Sequence, residues 1–215
     1  MLAFQKNSET LIVVLHEIYG INEHITQVCQ ELAEEGYDVI CPDLLDGKPY
    51  FDYAREEEAY LYFMNYVGFE SAAKRVTFLL RQEELKYKRI VLLGFSAGAT
   101  IAWLCGVDSV KTDEGFYYGG SLVKCSGLIC YYGSRIRDYT DVTLQCPALL
   151  FYPEEEPSFS PQELQAELEK LDRAEVHILS GRHGFADPYS PHYHEVSARE
   201  AKKIMKEFME KRIVT

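Results

Sequence analysis

The sequence lacks the features that would attach a protein to a membrane or carry it through one. It contains no run of about 18 apolar residues, so we expect no membrane-spanning helix. The first ten residues, MLAFQKNSET, have neither a basic start nor a long apolar segment, and they therefore do not have the pattern of a secretory signal. We predict a cytoplasmic protein with no membrane partner.

Positive charge is also scarce. The 215 residues include 22 lysines and arginines against 34 aspartates and glutamates, which gives a net charge of −12. A chain of this charge repels phosphate backbones, so we expect no nucleic-acid partner. The acidic residues lie mostly in stretches with a helical pattern, and their ordinary interpretation is a solvated acidic surface.

Residues spaced as in metal or redox motifs are missing as well. The six cysteines contain no Cys-x-x-Cys pair, and most of them lie in apolar patterns that are typical of buried thiols in a reducing compartment. His192 and His194 are close in sequence, but no third ligand accompanies them. We therefore predict no bound metal and no other cofactor.

Strand and helix patterns alternate along the chain, without a repeat, a low-complexity segment or a linker. Strands are predicted at 10–17, 37–44, 89–96, 126–133, 147–153 and 174–180. Helices are predicted at 22–35, 55–81 with a break near Gly68, 97–107, 160–172 and 191–211, whereas 108–125 is rich in turn residues and has no clear period. This alternation predicts an α/β fold, with one domain over residues 1–215 and helices on both faces of a mostly parallel sheet.

One serine lies where an apolar strand pattern changes into a helical pattern, in LLGFSAGAT. The spacing Gly94-x-Ser96-x-Gly98 is that of a nucleophile elbow, in which the glycines remove side chains that would collide with the neighbouring helix and strand. Such a turn exposes the hydroxyl at the carboxyl end of the sheet, where open α/β sheets bind their ligands. The alternative interpretation is a serine that only caps the following helix.

A nucleophilic serine needs a base, and the base needs an acid that orients it. On this kind of sheet the chain order is serine, acid, histidine. His183 follows the last predicted strand in SGRHGFADP, so it falls at the same end of the sheet as Ser96. The acid is expected after the preceding strand, where Glu154, Glu155 and Glu156 are all candidates.

Several segments together resemble the dienelactone hydrolase family of α/β-hydrolases over nearly the whole chain. The similarity is carried by HEIYGINEHI, GYDVICPDL, GFSAGA, GLICYYG, CPALLFYPEEEP and RHGFADP. The resemblance implies an α/β-hydrolase fold in a minimal version without a lid domain. It also implies a hydrolase of small-molecule carboxylic esters or lactones that forms an acyl-enzyme on Ser96, with His183 as base and Glu156, or one of its two neighbours, as acid.

The resemblance further implies an oxyanion hole and a substrate pocket. The backbone N–H groups of Ile18 and Ala97 would bind the oxyanion, and Glu17, in the family's Glu-x-x-Gly element, would hold that loop or take part in the chemistry. Candidates for substrate binding or support of the site are Glu17, Tyr19, Arg55, Tyr60 and Phe185, and the other aromatic residues expected near the mouth are Phe63, Tyr131 and Tyr132.

The sequence departs from the family where the chemistry is concerned. Ser96 replaces the cysteine of the founding members, and Glu156 stands where aspartate is usual. Asp187 stands where the family has an arginine for a substrate carboxylate, so we expect neutral substrates to be preferred to anionic ones. The family's leading hairpin is expected to be missing, because the first strong strand pattern begins near residue 10.

Two functions of other classes are open at this point. The chain could be a non-catalytic member of the fold that binds a small ligand or partner, or a thiol-dependent enzyme that uses Cys105 or Cys130. The chain order of the serine, the glutamate and the histidine argues against the first, and neither cysteine lies at a strand-to-helix elbow. The sequence does not predict the oligomeric state.

Overall fold

The structure is a computed structural model that describes residues 1–108, 110–111, 117–118 and 124–214. The described strands are β1 Leu2–Phe4, β2 Thr10–Leu15, β3 Asp38–Cys41, β4 Arg89–Phe95, β5 Val110–Lys111, β6 Tyr117–Tyr118, β7 Gly127–Tyr131, β8 Ala148–Glu155 and β9 Ala174–Arg182. Seven of them form one sheet in the order β1-β3-β2-β4-β7-β8-β9, while β5 and β6 form a separate antiparallel pair. In the large sheet β1 is antiparallel to β3, and all other neighbours are parallel.

Helices cover both faces of the large sheet. The described α-helices are α1 Glu23–Glu34, α2 Glu56–Tyr62, α3 Phe69–Glu83, α4 Ala97–Gly106, α5 Pro161–Leu168 and α6 Glu195–Phe208. Side chains of α2, α3, α4 and α5 pack into one hydrophobic core, and side chains of α1 and α6 pack into a second. None of the helices in the described part of the chain is long and apolar enough to cross a membrane.

The strand β2 shows why an unbroken apolar run becomes the centre of this sheet. All six of its side chains are buried. Leu11, Val13 and Leu15 belong to the first core, whereas Ile12 and Val14 belong to the second. Because successive side chains of a strand point to opposite faces, a strand covered on both faces needs apolar residues at every position.

The predicted α/β fold with a mostly parallel sheet is confirmed, and each predicted strand and helix is found with ends that shift by a few residues. Gly68, at a φ of +67°, separates a π turn after α2 from α3, as the predicted break required. The last helix begins at Glu195 and not at residue 191, because the His194 side chain caps it. The pattern missed β1, whose three residues are too few to show a period. Most of the segment 108–125 lies outside the described residues.

The tightest backbone packing in the fold surrounds the turn between β4 and α4. A Cβ atom on Gly98 would overlap the carbonyl oxygen of Leu15, and one on Gly94 would overlap the carbonyl group of Gly98. In each case the obstacle is backbone, which cannot rotate away as a side chain could. Only glycine fits these two positions, and the first turn of α4 therefore touches the end of β2 directly.

Further along α4, the only tryptophan of the chain fills the core. Trp103 is fully buried, and its indole N–H donates a hydrogen bond to the carbonyl oxygen of Tyr139 at 2.9 Å. A buried indole N–H usually needs such a partner. The bond therefore allows the large side chain to pack in the interior and ties α4 to the 3₁₀ turn Ser134–Asp138, which ends at Tyr139.

We predict that Gly98→Ala lowers the free energy of unfolding by more than ~3 kcal/mol, because the new methyl group meets backbone. Gly36→Ala is the matched control. Its methyl group would meet nothing within 4 Å, so only the left-handed φ of +93° opposes the substitution, at ~1–2 kcal/mol. Urea unfolding followed by circular dichroism measures both losses, and equal losses would contradict the packing argument.

Candidate active site

Ser96 occupies the turn between β4 and α4 in a backbone conformation that side-chain-bearing residues rarely adopt. Its φ is +48° and its ψ is −112°, and its N–H donates a hydrogen bond to the carbonyl oxygen of Tyr131 at 2.9 Å. Its hydroxyl makes no capping hydrogen bond to α4, so the alternative interpretation of a helix-capping serine does not fit. The turn instead presents the hydroxyl at the carboxyl end of the sheet.

Three side chains from three loops form one hydrogen-bonded chain. Ser96 Oγ lies 2.9 Å from His183 Nε2, and His183 Nδ1 lies 2.9 Å from Glu156 Oε2. Since the carboxylate can only accept, Nδ1 carries the ring proton and donates it, while Nε2 accepts from the hydroxyl. In this arrangement an imidazole can take a proton from a hydroxyl while a carboxylate holds its orientation.

Of the three candidate glutamates, Glu156 is the one that contacts the histidine. The Glu156 side chain is 5% exposed, whereas that of Glu155 is 63% exposed and pairs with Arg182. Glu154 is exposed as well. Burial by itself would raise the pKa of Glu156, but the hydrogen bond and charge of His183 outweigh it, and the pKa lies below its ordinary value.

Two backbone N–H groups are available beside the serine. Ile18 and Ala97 both line the cavity that contains Ser96, and neither N–H has a hydrogen-bond partner within the described part of the chain. Ala97 is the first residue of α4, where N–H groups have no acceptor within the helix and carry the positive end of its dipole. Two free donors at such a place can stabilise negative charge on an oxygen.

A histidine that the sequence analysis did not single out orients one of these donors. His16 is fully buried; its Nδ1 lies 2.6 Å from the Glu17 carbonyl oxygen, and its Nε2 accepts a hydrogen bond from the Leu44 N–H at 3.0 Å. Nδ1 therefore carries the proton, and burial lowers the pKa of the ring to about 4, which keeps it neutral. Because C=O and N–H point in opposite directions in a trans peptide, the bond to Glu17 turns the Ile18 N–H away from His16.

The Glu17 carboxyl group is buried in the cavity wall. The residue is 4% exposed, and its carboxyl group forms no salt bridge in the described ranges. Burial raises its pKa to about 7; the charges of Asp187 and Glu56 raise the pKa further, while His183 and the nearby Tyr132 hydroxyl lower it. That hydroxyl is itself buried and does not reach hydrogen-bonding geometry with any partner described. Glu17 is thus close to half-protonated at neutral pH.

A cavity of about 940 Å³ opens next to the serine. Tyr19, Tyr60 and Phe63 line it, as the sequence analysis expected. Other residues that line it were not expected there: Tyr53, Glu56, Phe69, Thr100, Ser134 and Arg137. Glu56, Tyr60 and Phe63 are spaced to lie on one helical face, so the expected position of Tyr60 could have indicated Glu56 as well. Tyr53 follows an irregular loop, and no periodic pattern indicates its position.

Four residues expected at the site or near its mouth do not line the cavity. Phe185 is fully buried and packs edge-on against the Tyr132 ring at 5.5 Å, so it supports the site from the core; Tyr131 and Tyr132 are core residues too. Arg55 points out of the cavity, because its guanidinium pairs with Glu58 at 2.7 Å on the exposed side of α2. Arg55 is not among the residues that line the cavity, and its expected role in substrate binding or support of the site stays a prediction.

Asp187 lies in the cavity wall and is 1% exposed. It accepts hydrogen bonds from the Tyr53 hydroxyl and from the Tyr189 N–H, and Tyr53 in turn accepts one from Asn22 at 2.9 Å. His24 Nδ1 lies 3.7 Å away, but burial lowers the pKa of His24, so its ring is neutral at neutral pH. Hydrogen bonds hold the Asp187 carboxylate, and within the described residues no lysine or arginine forms a salt bridge with it.

Neither a metal site nor a reactive thiol emerges from the described residues. His192 Nδ1 lies 3.0 Å from the His183 carbonyl oxygen, His194 caps α6, and within the described ranges no group of three His, Cys, Asp or Glu side chains could hold a metal ion. Burial raises the pKa of Cys105 to about 12 and raises that of Cys130 as well, so neither thiol ionises at neutral pH.

Comparisons with known proteins point to one family. Residues 1–213 match the sequence model of the Dienelactone hydrolase family. The uncharacterised protein YczH of Bacillus subtilis (strain 168) is 33% identical over 207 residues, which cover 95% of each chain. A Salmonella typhi protein provisionally named a carboxymethylenebutenolidase is 25% identical over 210 residues, which cover 92% of this chain and 76% of that protein.

A solved structure agrees with these relatives on the fold. The crystal structure of a Klebsiella pneumoniae protein provisionally named a dienelactone hydrolase superposes with a TM-score of 0.71 at 21% identity, over 94% of this chain and 86% of that one. The family model matches almost every residue, so the chain belongs to the dienelactone hydrolase family, and it is a hydrolase of the esterase type with the α/β-hydrolase fold.

Proposed function

We propose that the protein hydrolyses carboxylic esters or lactones through an acyl-enzyme on Ser96, with His183 as general base and Glu156 as the acid that orients it. One observation carries this proposal: two 2.9 Å hydrogen bonds link Ser96 Oγ, the His183 ring and Glu156 in an unbroken chain beside a cavity. The proposal includes the whole chain as one domain, because the strands that lead to all three residues belong to one sheet.

In the first half of the proposed reaction, Ser96 Oγ attacks the carbonyl carbon of the ester. The hydroxyl proton passes to His183 Nε2, and the resulting imidazolium keeps its hydrogen bond to Glu156. Negative charge then develops on the carbonyl oxygen, where the N–H groups of Ile18 and Ala97 can bind it. Loss of one such donor typically costs about 10² to 10³ in kcat, so the pair is a large part of the proposed rate enhancement.

The second half reverses these roles with water. The C–O bond to the leaving alcohol breaks, and the alkoxide takes the proton from His183 Nε2; in a lactone the new hydroxyl stays attached to the acyl chain. Water then attacks the acyl-enzyme while His183 accepts its proton, and the returning proton restores the Ser96 hydroxyl. The products are a carboxylic acid and an alcohol, or one hydroxy acid.

We propose that Glu17 supports the site and does not exchange protons with the substrate. Its backbone carbonyl is the group that His16 holds, so the residue begins the loop that presents the Ile18 N–H. Its side chain is nearly enclosed, and that burial raises its pKa to about 7. A carboxyl group in such a place destabilises the fold when it ionises, and that cost can be measured.

Ser96→Ala is expected to abolish ester hydrolysis and labelling by a fluorophosphonate probe while the fold remains intact, because only the attacking oxygen is lost. Ser126→Ala, which removes a hydroxyl at the amino end of β7, is the matched control and should keep both. Initial rates on p-nitrophenyl esters and gel-based probe labelling make the comparison. Esterase activity above a small residue in Ser96→Ala would rule out this nucleophile and favour a binding protein or another site.

Glu156→Gln is expected to lower kcat by about 10³ to 10⁴, because the neutral amide no longer orients and stabilises the His183 imidazolium. Glu154→Gln makes the same change two residues earlier at an exposed position and should change kcat less than about twofold. Steady-state kinetics of the two variants on one ester decides between the acids. A larger loss in Glu154→Gln would move the role to that residue.

Glu17→Gln is expected to stabilise the protein at high pH. The pKa of Glu17 rises from its ordinary value of 4.5 to about 7 on folding, so the folded state holds the proton more tightly and stability falls as pH rises between those values. The variant should therefore gain ~2–3 kcal/mol in free energy of unfolding at pH 8 and almost nothing at pH 4. Urea unfolding at both pH values tests this, and a variant less stable than wild type at pH 8 would show that the carboxylate is satisfied.

A further inference from the structure

The charges that line the cavity are unequally compensated. Each lining arginine has an acidic or carbonyl partner: Arg135 pairs with Asp138 at 3.1 Å, Arg182 pairs with Glu155 at 2.9 Å, and Arg137 donates to the Ser134 carbonyl oxygen and lies 3.8 Å from Asp138. The Glu56 carboxyl group has no hydrogen-bond or salt-bridge partner in the described ranges, and Glu17 forms no salt bridge there. The charge left over at the cavity surface is therefore negative.

One helix presents both a carboxylate and aromatic faces to the cavity. Glu56, Tyr60 and Phe63 are four and three residues apart, so they follow one face of α2 into its π turn, and all three line the cavity. Tyr19 and Tyr53 line it too, with ring centroids 4.8 Å apart and edge-on packing. An acid beside several aromatic rings is the combination that attracts an organic cation.

The buried side of the same wall is also negative. Asp187 is 1% exposed, and the ring of His24, which is neutral, lies 3.7 Å from it. Glu17 is 4% exposed and lines the cavity. That Asp187 and Glu56 both raise the pKa of Glu17 shows that the three carboxyl groups act on one region of space.

We propose that this wall, formed by Glu56, Tyr60, Tyr19, Tyr53 and Asp187, binds the positively charged group of an ammonium-bearing ester or lactone. The inference rests on the proposed function and names its substrate class. The aromatic rings replace water around the ammonium group, and the carboxylates supply the opposite charge. The net charge of −12 adds a field that draws cations toward the protein.

The kinetic test compares esters that differ only in charge. One pair places the charge on the acyl side: p-nitrophenyl 4-(trimethylammonio)butyrate against its carbon isostere, p-nitrophenyl 5,5-dimethylhexanoate. The other places it on the alcohol side: butyrylcholine against 3,3-dimethylbutyl butyrate. We expect kcat/KM to be about tenfold higher for the cation in at least one pair. The pair that shows the preference indicates whether the wall contacts the acyl part or the alcohol part of the ester. A neutral isostere that is as good as or better than the cation in both pairs overturns the proposal.

Paired variants connect the preference to the wall. Glu56→Gln is expected to lower the cation-to-neutral ratio of kcat/KM about three- to tenfold. Glu57→Gln makes the same change at the next residue, which faces a groove beside Lys48 and Tyr62 outside the cavity, and should leave the ratio unchanged. Both glutamates lie in the first turn of α2, so effects on the helix dipole are matched. Equal ratios in wild type and Glu56→Gln overturn the assignment.

A binding measurement separates this inference from the proposed hydrolysis. Choline and its neutral isostere 3,3-dimethylbutan-1-ol are titrated into the wild-type protein by calorimetry, where no bond is broken. Tighter binding of choline by about tenfold supports the cation wall even if no ester in the panel is hydrolysed, a result that would count against the proposed function alone. Equal binding, or tighter binding of the neutral alcohol, overturns the inference even if neutral esters are turned over well.

Discussion

The direct contact between the first turn of α4 and the end of β2 is the constraint on which the whole site depends. Gly94 and Gly98 leave room for two backbones to meet with no side chain between them. The contact brings the N–H of Ala97 next to the loop that carries the N–H of Ile18, although the two residues are far apart in sequence. The same approach forces Ser96 into its strained conformation, and the hydrogen bond from its N–H to Tyr131 holds it there. Since parallel strands all end at one edge, the loops after β8 and β9 reach the same place.

The site combines neutral histidines with uncompensated acids. His16 is neutral because burial penalises its charge, and only the neutral ring can both accept from Leu44 and donate to Glu17. The two buried acids have different surroundings. Asp187 accepts hydrogen bonds from the Tyr53 hydroxyl and the Tyr189 N–H, whereas burial raises the pKa of Glu17. Packing alone would favour apolar residues at both positions. Fold stability therefore does not explain why Asp187 and Glu17 are buried at these positions.

Long periodic elements could be predicted from the sequence because burial dictates their residues, as in β2, where the five positions after Thr10 are all apolar. The elbow could be predicted because only glycine fits two positions in it. Side-chain direction in irregular segments could not. Nothing in the pattern around Arg55 shows that it turns toward Glu58, and nothing around His16 distinguishes a ring that orients a peptide from an ordinary core residue. The contact between Tyr53 and Asp187 joins two loops whose relative position depends on the assembled sheet.

Trp103, the only tryptophan of the chain, is an intrinsic fluorescent probe of the protein interior. Its ring is fully enclosed and lies on the helix that begins at the serine turn, with its N–H bonded to the carbonyl oxygen of Tyr139. Emission excited at a wavelength where the 16 tyrosines absorb little comes from this one tryptophan, so a change in its wavelength or lifetime reports the surroundings of Trp103 on α4. Acylation of Ser96, which lies about two helix turns before Trp103, or loosening of the turn at Tyr139, can thus be followed in real time without attaching a dye.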